Sequence, residues 1–291
     1  LLSGSGKLIS KRRSLVLTAW ILAAGMVRFI IFMPCGRPGA EFVTSPGLTI
    51  HDSELRFGGA VVFTDLSLAV QAGRWTAVLG ASGVGKTSLL RLVAGLTDTA
   101  TISGRIDADD GQSLENRIAY MAQQDLLLPW LTALENVALP VRLQEGRISA
   151  DHQRRALHYL DLVGLADEAA KLPAALSGGM RQRVALARTL FLERDIVLMD
   201  EPFSALDAIS RFRLQAEAAR LLEDKTVMLV THDPMEALRL ADTIYVLDGK
   251  PASVSQPIQM TGRTPRAVDD PSVSNHYGPL MRLLGGEGAA A

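Results

Sequence analysis

The pattern of apolar and polar positions predicts an α/β fold. Short, largely apolar runs, each typical of a buried strand, occupy residues 75–79, 196–199, 226–230 and 243–247. Helical patterns lie between them, and in residues 150–163 one predicted face carries Ala156, Leu157, Leu160 and Val163. Apolar strands that alternate with helices indicate a buried, mostly parallel sheet.

Three further stretches are predicted outside this parallel sheet: a β layer, a helical subdomain and a tail. Residues 48–57 and 61–70 are typical of two strands joined by a Gly58-Gly59 turn, so we expect an antiparallel β layer before the run 75–79. Residues from about 125 to 175 carry helical patterns, which predict a helical subdomain inserted between strands. From about residue 262 the composition turns to Pro, Ser and Gly, which predicts a loosely packed tail over residues 263–291.

Length and charge limit the classes of function. The chain has 291 residues, of which 48% are apolar, enough for one large domain or two small ones. A net charge of −1 does not favour general electrostatic attraction to nucleic acid. Cys35 is the one cysteine in the sequence, so no intramolecular disulfide can form.

A glycine-rich stretch between a predicted strand and a predicted helix carries the first chemical signal. Residues 80–87, Gly-Ala-Ser-Gly-Val-Gly-Lys-Thr, fit the phosphate-binding P-loop pattern G-x-x-x-x-G-K-[ST]. The glycines let the backbone wrap closely around a polyphosphate, and N–H groups of the loop and helix start then point at the anion. The alternative is a strand–helix turn without a ligand. The predicted nucleotide-binding residues are Gly80, Ser82, Gly83, Gly85, Lys86, Thr87 and Ser88.

Hydrolysis of a Mg-nucleotide also needs a metal ligand and a group that activates water. Asp200 and Glu201 follow an apolar strand, so Asp200 can meet the Mg²⁺ that Thr87 holds, and Glu201 can polarise the attacking water. His232 and Gln123 also follow predicted strands, and parallel strands end at the same sheet edge, where ligands bind. Taken alone, the acids fit a solvated turn, the histidine a structural role, and Gln123 a polar loop.

Together these pieces resemble the ATP-binding cassette family over residues 48–250. Residues 176–183, Leu-Ser-Gly-Gly-Met-Arg-Gln-Arg, are similar to its signature motif, and residues 204–207, Ser-Ala-Leu-Asp, to its D-loop. The resemblance implies further roles for single residues: Walker B acid for Asp200, catalytic glutamate for Glu201, switch histidine for His232, and Q-loop glutamine and metal ligand for Gln123. Gln124 is the adjacent alternative for the Q-loop. Phe57 falls where the family stacks an aromatic ring on adenine, although a buried core aromatic is the other interpretation.

The resemblance also implies a homodimer that closes around two ATP molecules with Mg²⁺. The signature stretch begins a predicted helix, so it too offers N–H donors and the positive end of a helix dipole. One subunit's signature would then close on the nucleotide that the other's P-loop holds. The residues concerned are Ser177, Gly178, Gly179 and Asp207.

Two kinds of protein use this ATPase: membrane transporters, and soluble proteins that act on DNA or ribosomes. DNA-repair relatives usually carry a long coiled coil between Q-loop and signature, where this chain has about fifty residues without sustained heptads. Ribosome-associated relatives usually carry two cassettes, and this chain has one. We therefore expect a peripheral subunit on the cytoplasmic face of the inner membrane, bound to integral-membrane permease subunits and not to nucleic acid.

The amino-acid sequences of two segments indicate which class of transporter to expect. Residues 121–132 and 176–183 resemble the importer branch for nitrate, sulfonate and taurine, which includes importers of hydroxymethylpyrimidine, a thiamine precursor. Such importers work with a periplasmic substrate-binding protein. The apolar residues 127–130, Leu-Leu-Pro-Trp, would form the groove that receives a permease loop, and ordinary helix-cap packing is the alternative. We expect residues 44–262 to form the ATPase domain.

Residues 1–43 differ in character from the rest. Four basic residues precede a 19-residue apolar run from 15 to 33, which Arg28 interrupts. A membrane span there would leave the basic end in the cytosol and send the P-loop outside, away from nucleotide. We therefore interpret the stretch as an extension outside the working protein, such as an upstream-extended reading frame, with a membrane-associated leader as the alternative.

Overall fold

The computed structural model describes residues 45–97 and 100–285. The predictions for residues 1–43 lie outside the described residues. Within the described ranges, none of the helices combines the length and apolar character that crossing a membrane requires.

The first three strands of the described chain precede its first α-helix. The strands are β1 Leu48–Phe57, β2 Ala60–Val70, β3 Trp75–Gly80, β4 Ala100–Ala108, β5 Ile118–Met121, β6 Ile196–Asp200, β7 Thr226–Thr231, β8 Thr243–Asp248, β9 Ser253–Val254 and β10 Ile258–Gln259. The α-helices are α1 Lys86–Val93, α2 Ala133–Val137, α3 Leu139–Glu145, α4 Ala150–Leu162, α5 Gly178–Phe191, α6 Ala208–Leu221, α7 Pro234–Leu240 and α8 Pro271–Leu284. Single α-helices separate β3 from β4, β6 from β7 and β7 from β8, and four α-helices lie between β5 and β6.

The central sheet is mostly parallel, which confirms the predicted fold class. Its strand order is β10-β8-β3-β7-β6-β5, with β9 added to β8, and β10 and β9 are the antiparallel members. Every residue of β3, β6 and β7 is buried, as the apolar runs predict. In the register, Leu79 pairs with Thr231 and Asp200 pairs with Val230, so the carboxyl ends of β3, β6 and β7 meet at one edge.

A separate antiparallel layer of order β2-β1-β4 confirms the second prediction. Leu48 pairs with Val70, and Phe57 with Ala60 across the two-glycine turn. The third strand, β4, fits beside β1 through Gly104, whose φ is +89°. A Cβ on Gly104 would lie 2.5 Å from the carbonyl oxygen of His51, so only glycine allows the strands to approach this closely here.

The helical subdomain lies between β5 and β6, as the sequence predicts. Its first helical stretch is divided at Ala138 into α2 and α3, and Pro140 sits in the first turn of α3, where its missing N–H costs nothing. Leu157 is 42% exposed, because the buried stripe of α4 consists of Ala156, Leu160 and the following Val163 at spacings of four and three residues.

The prediction of loose packing from residue 262 is wrong for residues 263–285. Val273 and Leu280 of α8 are buried with Leu79 and Ile244 of the central sheet. The side chain of Arg266 is fully buried and donates to the carbonyl oxygens of Leu238 at 3.2 Å and Ala241 at 2.7 Å. The Pro and Ser content here reflects turns and the helix start, so composition alone was a misleading signal.

Candidate active site

The glycine-rich loop at the end of β3 has the shape of an anion cradle. Gly80 approaches the neighbouring strand so closely that a Cβ would lie 2.4 Å from the carbonyl oxygen of Leu247. Gly85 has a φ of 117° and precedes α1 without any side-chain cap. The N–H groups of the first turn of α1 therefore remain available to a ligand at the loop.

Lys86 places a positive charge inside this loop. The residue is 6% exposed, and Nζ donates to the carbonyl oxygens of Gly80 at 2.8 Å and Ala81 at 3.0 Å. Burial lowers the pKa of Lys86, and the nearby carboxylates of Glu201 and Asp200 counteract that shift. The structure thus brings the cation of α1 together with the two acids at the end of β6.

Asp200 and Thr87 form an oxygen-rich pair beside the loop. Asp200 is 1% exposed, and burial raises its pKa, while a hydrogen bond from the Thr87 hydroxyl works in the opposite direction. Oδ2 of Asp200 has no hydrogen-bond partner among the described residues. A buried carboxylate oxygen without a partner is costly, and it suits a hard cation such as Mg²⁺, which prefers oxygen ligands. The residues present therefore fit the metal.

Glu201 lies where three strand ends converge. Its Oε1 is 3.0 Å from Nδ1 of His232, and its Oε2 accepts a hydrogen bond from Nε2 of Gln123 at 3.3 Å. Glu201 has a φ of 48°, in the left-handed region that non-glycine residues rarely adopt. Its N–H donates to the carbonyl oxygen of Val230 at 2.9 Å, which keeps the residue anchored to β7. The contact with Glu201 favours Gln123 over Gln124 as the Q-loop residue.

The segment after Gln123 is tied to α5 by two arginines. Nε of Arg181 is 3.0 Å from Oδ2 of Asp125, and Arg188 donates to the carbonyl oxygens of Asp125 at 2.7 Å and Leu126 at 3.0 Å. Burial lowers the pKa of Arg188 to about 10, so the guanidinium stays charged at neutral pH. This tether was not predicted from the sequence, although the spacing of seven residues between the arginines places them on one helix face.

The signature and D-loop stretches lie beside each other. Ser177 caps the start of α5, with its Oγ accepting from the N–H of Met180 at 3.2 Å, and a Cβ on Gly179 would lie 3.1 Å from the carbonyl oxygen of Ala205. Asp207 caps the start of α6 and accepts from the N–H groups of Ile209 at 3.1 Å and Ser210 at 3.0 Å. Hydrogen bonds from Ser210 and Ile209 lower the pKa of Asp207. Within one chain, Ser177 and Asp207 thus act as helix caps.

Phe57 and the apolar segment 127–130 occupy surface positions. The ring of Phe57 is partly buried and packs against the hydrophobic cluster of the β layer, so it has a core contact as well as an accessible part. Trp130 is 40% exposed. Asn136, fully buried, fixes this segment by accepting from the N–H of Leu128 at 2.8 Å and donating to the carbonyl oxygen of Leu131 at 3.0 Å. Sequence analysis did not single out Asn136.

Glu236 is a buried acid near the switch histidine that sequence analysis also missed. It is 4% exposed, and Thr231 donates to its Oε2 at 2.6 Å, while Oε1 has no partner among the described residues. Burial raises the pKa of Glu236 to about 7, the Thr231 hydroxyl and Arg211 counteract this, and Asp233 adds to it. The neighbouring His232 acts in the same direction as Arg211 and lowers the pKa of Glu236.

The raised pKa predicts a pH-dependent stability. Folded Glu236 holds its proton up to about pH 7, while a free Glu releases it near 4.5. The contribution of Glu236 to the free energy of unfolding is therefore complete below pH 4.5 and is lost as the pH rises to 7. The loss amounts to at most about 3 kcal/mol of unfolding free energy. Glu236→Gln, which cannot titrate, should gain stability relative to the wild type from pH 5 to pH 8. Urea unfolding at several pH values checks this, and parallel pH profiles for the two proteins would contradict it.

Comparisons with known proteins agree with this geometry. Residues 63–204 match the family described as ABC transporter. An ABC transporter ATP-binding protein of Haemophilus influenzae, whose name states no substrate, is 44% identical over 241 residues, which cover 82% of this chain and 98% of that protein. The aliphatic sulfonates import ATP-binding protein SsuB of Delftia acidovorans is 42% identical, over 82% of this chain and 94% of its own.

Solved structures give the same result. The dimeric ATP-binding cassette MJ0796, in a post-hydrolysis state with ADP and phosphate, superposes with a TM-score of 0.64 at 30% identity. The match covers 74% of this chain and 99% of that one. The similarity therefore extends over nearly the whole of a cassette.

Proposed function

The chain belongs to the ABC transporter family, and we propose that it hydrolyses ATP at the Lys86–Glu201 site to energise a bacterial importer of small sulfonate-like molecules. The contact of Glu201 with both His232 and Gln123, beside Lys86 and Asp200, is the observation that carries the proposal. These groups come from different strand ends, and hydrolysis of a nucleotide at the loop needs them all at one place.

In the proposed mechanism, the N–H groups of the loop residues Gly83, Gly85 and Ser88 and the side chains of Ser82 and Lys86 hold the phosphates of ATP. Mg²⁺, with Thr87, Asp200 and Gln123 as ligands, would neutralise charge on the phosphate oxygens. Glu201 orients a water molecule and draws its proton while the oxygen attacks the γ-phosphorus and the bond to ADP breaks.

His232 has two proposed roles at this step. Its Nδ1 contact at 3.0 Å fixes the carboxylate of Glu201, and its side chain is 59% exposed, so it can also contact the γ-phosphate. The two roles of His232 follow from the resemblance together with the position of its side chain.

Phe57 would stack on adenine, a role that follows from the resemblance and from the accessible part of its ring.

We further propose that a second copy of the chain completes each site. Ser177, Gly178 and Gly179 stand at the start of the 14-residue helix α5, where N–H groups and the helix dipole favour an anion. Asp207 adjoins them through the D-loop. The dimeric state of the cassette MJ0796 supports this arrangement. ATP between the two copies would hold them together, and hydrolysis would loosen them.

The proposed assembly includes partners outside the cytosol. Permease subunits in the inner membrane would bind at Trp130 and its apolar neighbours, and a periplasmic substrate-binding protein would deliver the cargo. The cassette itself, which we assign to residues 44–262 with its helical subdomain at about 125–175, would lie on the cytoplasmic face. Since it does not touch cargo, the sulfonate class is supported by the name of the relative from Delftia acidovorans.

Growth on a single sulfur source tests whether the importer carries sulfonates. A strain of the native host that lacks the gene should fail to grow on an alkanesulfonate as sole sulfur source yet grow normally on sulfate. The wild-type gene should restore growth, and a Glu201→Gln copy should not. Normal growth of the deletion strain on alkanesulfonates would contradict the sulfonate class, and a thiamine requirement relieved by high hydroxymethylpyrimidine would assign the cargo to that precursor.

Affinity purification tests the transporter role apart from the cargo. The tagged chain, extracted from membranes in mild detergent, should bring down a polytopic membrane protein. Recovery of ribosomes or DNA without such a protein would favour the alternative, a soluble ATPase that acts on nucleic-acid machinery.

A further inference from the structure

The switch histidine stands in a two-residue connection. β7 ends at Thr231 and α7 begins at Pro234, so His232 and Asp233 alone join the strand to the helix. The direction of the His232 side chain therefore depends on what holds the residues on either side of it.

The hydroxyl group of Thr231 links Asp233, on the other side of His232, to Glu236 on α7. Oγ1 of Thr231 accepts a hydrogen bond from the N–H of Asp233 at 3.0 Å and donates one to Oε2 of Glu236 at 2.6 Å. Thr231 is 1% exposed and Glu236 4% exposed, so water does not compete for these bonds. In an ordinary capping box, a glutamate at this position of a helix binds the N–H of the cap residue directly. Here the Thr231 hydroxyl stands between the two groups.

Asp233 is fixed from its side chain as well. Its Oδ1 accepts from the N–H of Met235 at 2.9 Å, and its Oδ2 is 3.3 Å from Nη1 of Arg211 on α6. The helix start is therefore already capped by Asp233. The buried Glu236 is not needed for that purpose, and its unpartnered oxygen costs stability. Its remaining contribution is to orient the Thr231 hydroxyl.

We propose that Thr231 and Glu236 are positioning residues that hold His232 against Glu201 during ATP hydrolysis. The inference rests on the proposed function of His232. Glu236 accepts a hydrogen bond from the Thr231 hydroxyl, which leaves a lone pair of that oxygen directed at the N–H of Asp233. These two hydrogen bonds fix the two-residue connection that carries His232, and they keep its Nδ1 3.0 Å from Oε1 of Glu201.

Kinetics of the full chain with its permease test the inference. Thr231→Val, which replaces the hydroxyl by a methyl group, should lower kcat about tenfold while KM for ATP stays within about twofold, because positioning affects the chemical step. Thr231→Ser and Glu236→Gln keep a hydroxyl donor and an oxygen acceptor and should restore most of kcat. Glu236→Leu should match Thr231→Val.

Thr226 offers a matched control at the other end of the same strand. It is fully buried, and its hydroxyl also joins distant residues: it accepts from the N–H of Gly73 at 2.9 Å and donates to the carbonyl oxygens of Pro46 at 2.8 Å and Ser45 at 3.3 Å. Thr226→Val should lower thermal stability as much as Thr231→Val does and leave kcat unchanged. An equal loss of kcat in both variants would show a general structural effect and overturn the inference.

A double-mutant cycle separates the inference from the function on which it rests. If Thr231 acts through His232, adding Thr231→Val to His232→Ala should not lower kcat further. Independent, multiplicative losses would overturn the inference, as would full activity of Thr231→Val beside an impaired His232→Ala. Full activity of His232→Ala would instead refute the proposed role of the histidine, and the inference with it.

Discussion

Replacing Glu201 with Gln should lower kcat for ATP hydrolysis by about 100- to 10,000-fold, the range that general acid–base catalysis typically contributes. The amide keeps the size of the side chain and one oxygen for its contacts with Gln123 and His232, but it cannot take a proton from water. Phosphate release measured on the purified full chain checks the loss. A variant that hydrolyses ATP at the wild-type rate would refute Glu201 as the base.

The same variant should still bind ATP, because the loop and Lys86 are unchanged. If hydrolysis loosens the dimer, the variant should also accumulate as a dimer in ATP, which size-exclusion chromatography measures. Glu223→Gln is the matched control, since this exposed residue pairs with Arg263 on the surface. It should hydrolyse ATP normally and remain in the same monomer–dimer equilibrium as the wild type.

Replacing Lys86 with Ala should weaken ATP binding by at least about 10-fold, and by about 100-fold at the upper end of the range. A charge-assisted hydrogen bond to phosphate contributes about 1.5–3 kcal/mol, and each 1.4 kcal/mol corresponds to about tenfold in affinity. Removing the ammonium also leaves Asp200 and Glu201 as uncompensated negative charges that repel the nucleotide. Equilibrium binding of a fluorescent ATP analogue, together with urea unfolding to confirm that the variant folds, measures the effect.

Lys225 supplies the control for this prediction. It is partly exposed and pairs with Asp195 at 3.3 Å, at the opposite end of β7 from the site. Lys225→Ala should bind nucleotide like the wild type. Unchanged affinity in Lys86→Ala would refute the phosphate-binding role of the loop lysine.

Much of the candidate site could be predicted because it depends on local patterns. The loop 80–87 is a contiguous motif, and Asp200 and His232 each follow an apolar run whose strand character is evident. Since parallel strands share an edge, the sequence alone predicts that these side chains lie close together. The contact of Gln123 with Glu201 needed the resemblance to select it, because a polar residue after a strand is common.

What could not be predicted depends on contacts between distant elements. Arg266 caps the carbonyl end of α7 from 25 residues further along the chain, and no periodicity reports such a contact. Thr231 and Glu236 were ordinary residues in the sequence, and only burial and the 2.6 Å bond make them distinctive. The exposure of Leu157 likewise reflects how α4 packs on its neighbours, which the helical pattern of one segment does not determine.

The tether from α5 to Asp125 has a mechanical consequence. Arg181 and Arg188 hold Asp125 by its side chain and its main chain, and the exposed Trp130 follows five residues later. A connection made at two points resists both stretching and rotation. A force applied by a permease at Trp130 would thus be transmitted to the start of α5, where Ser177 stands, with little loss to bending. The short distance from Asp125 back to Gln123 would carry the same displacement to Glu201. The subdomain would then work as a stiff lever, and the membrane partner could adjust the chemistry through movement alone.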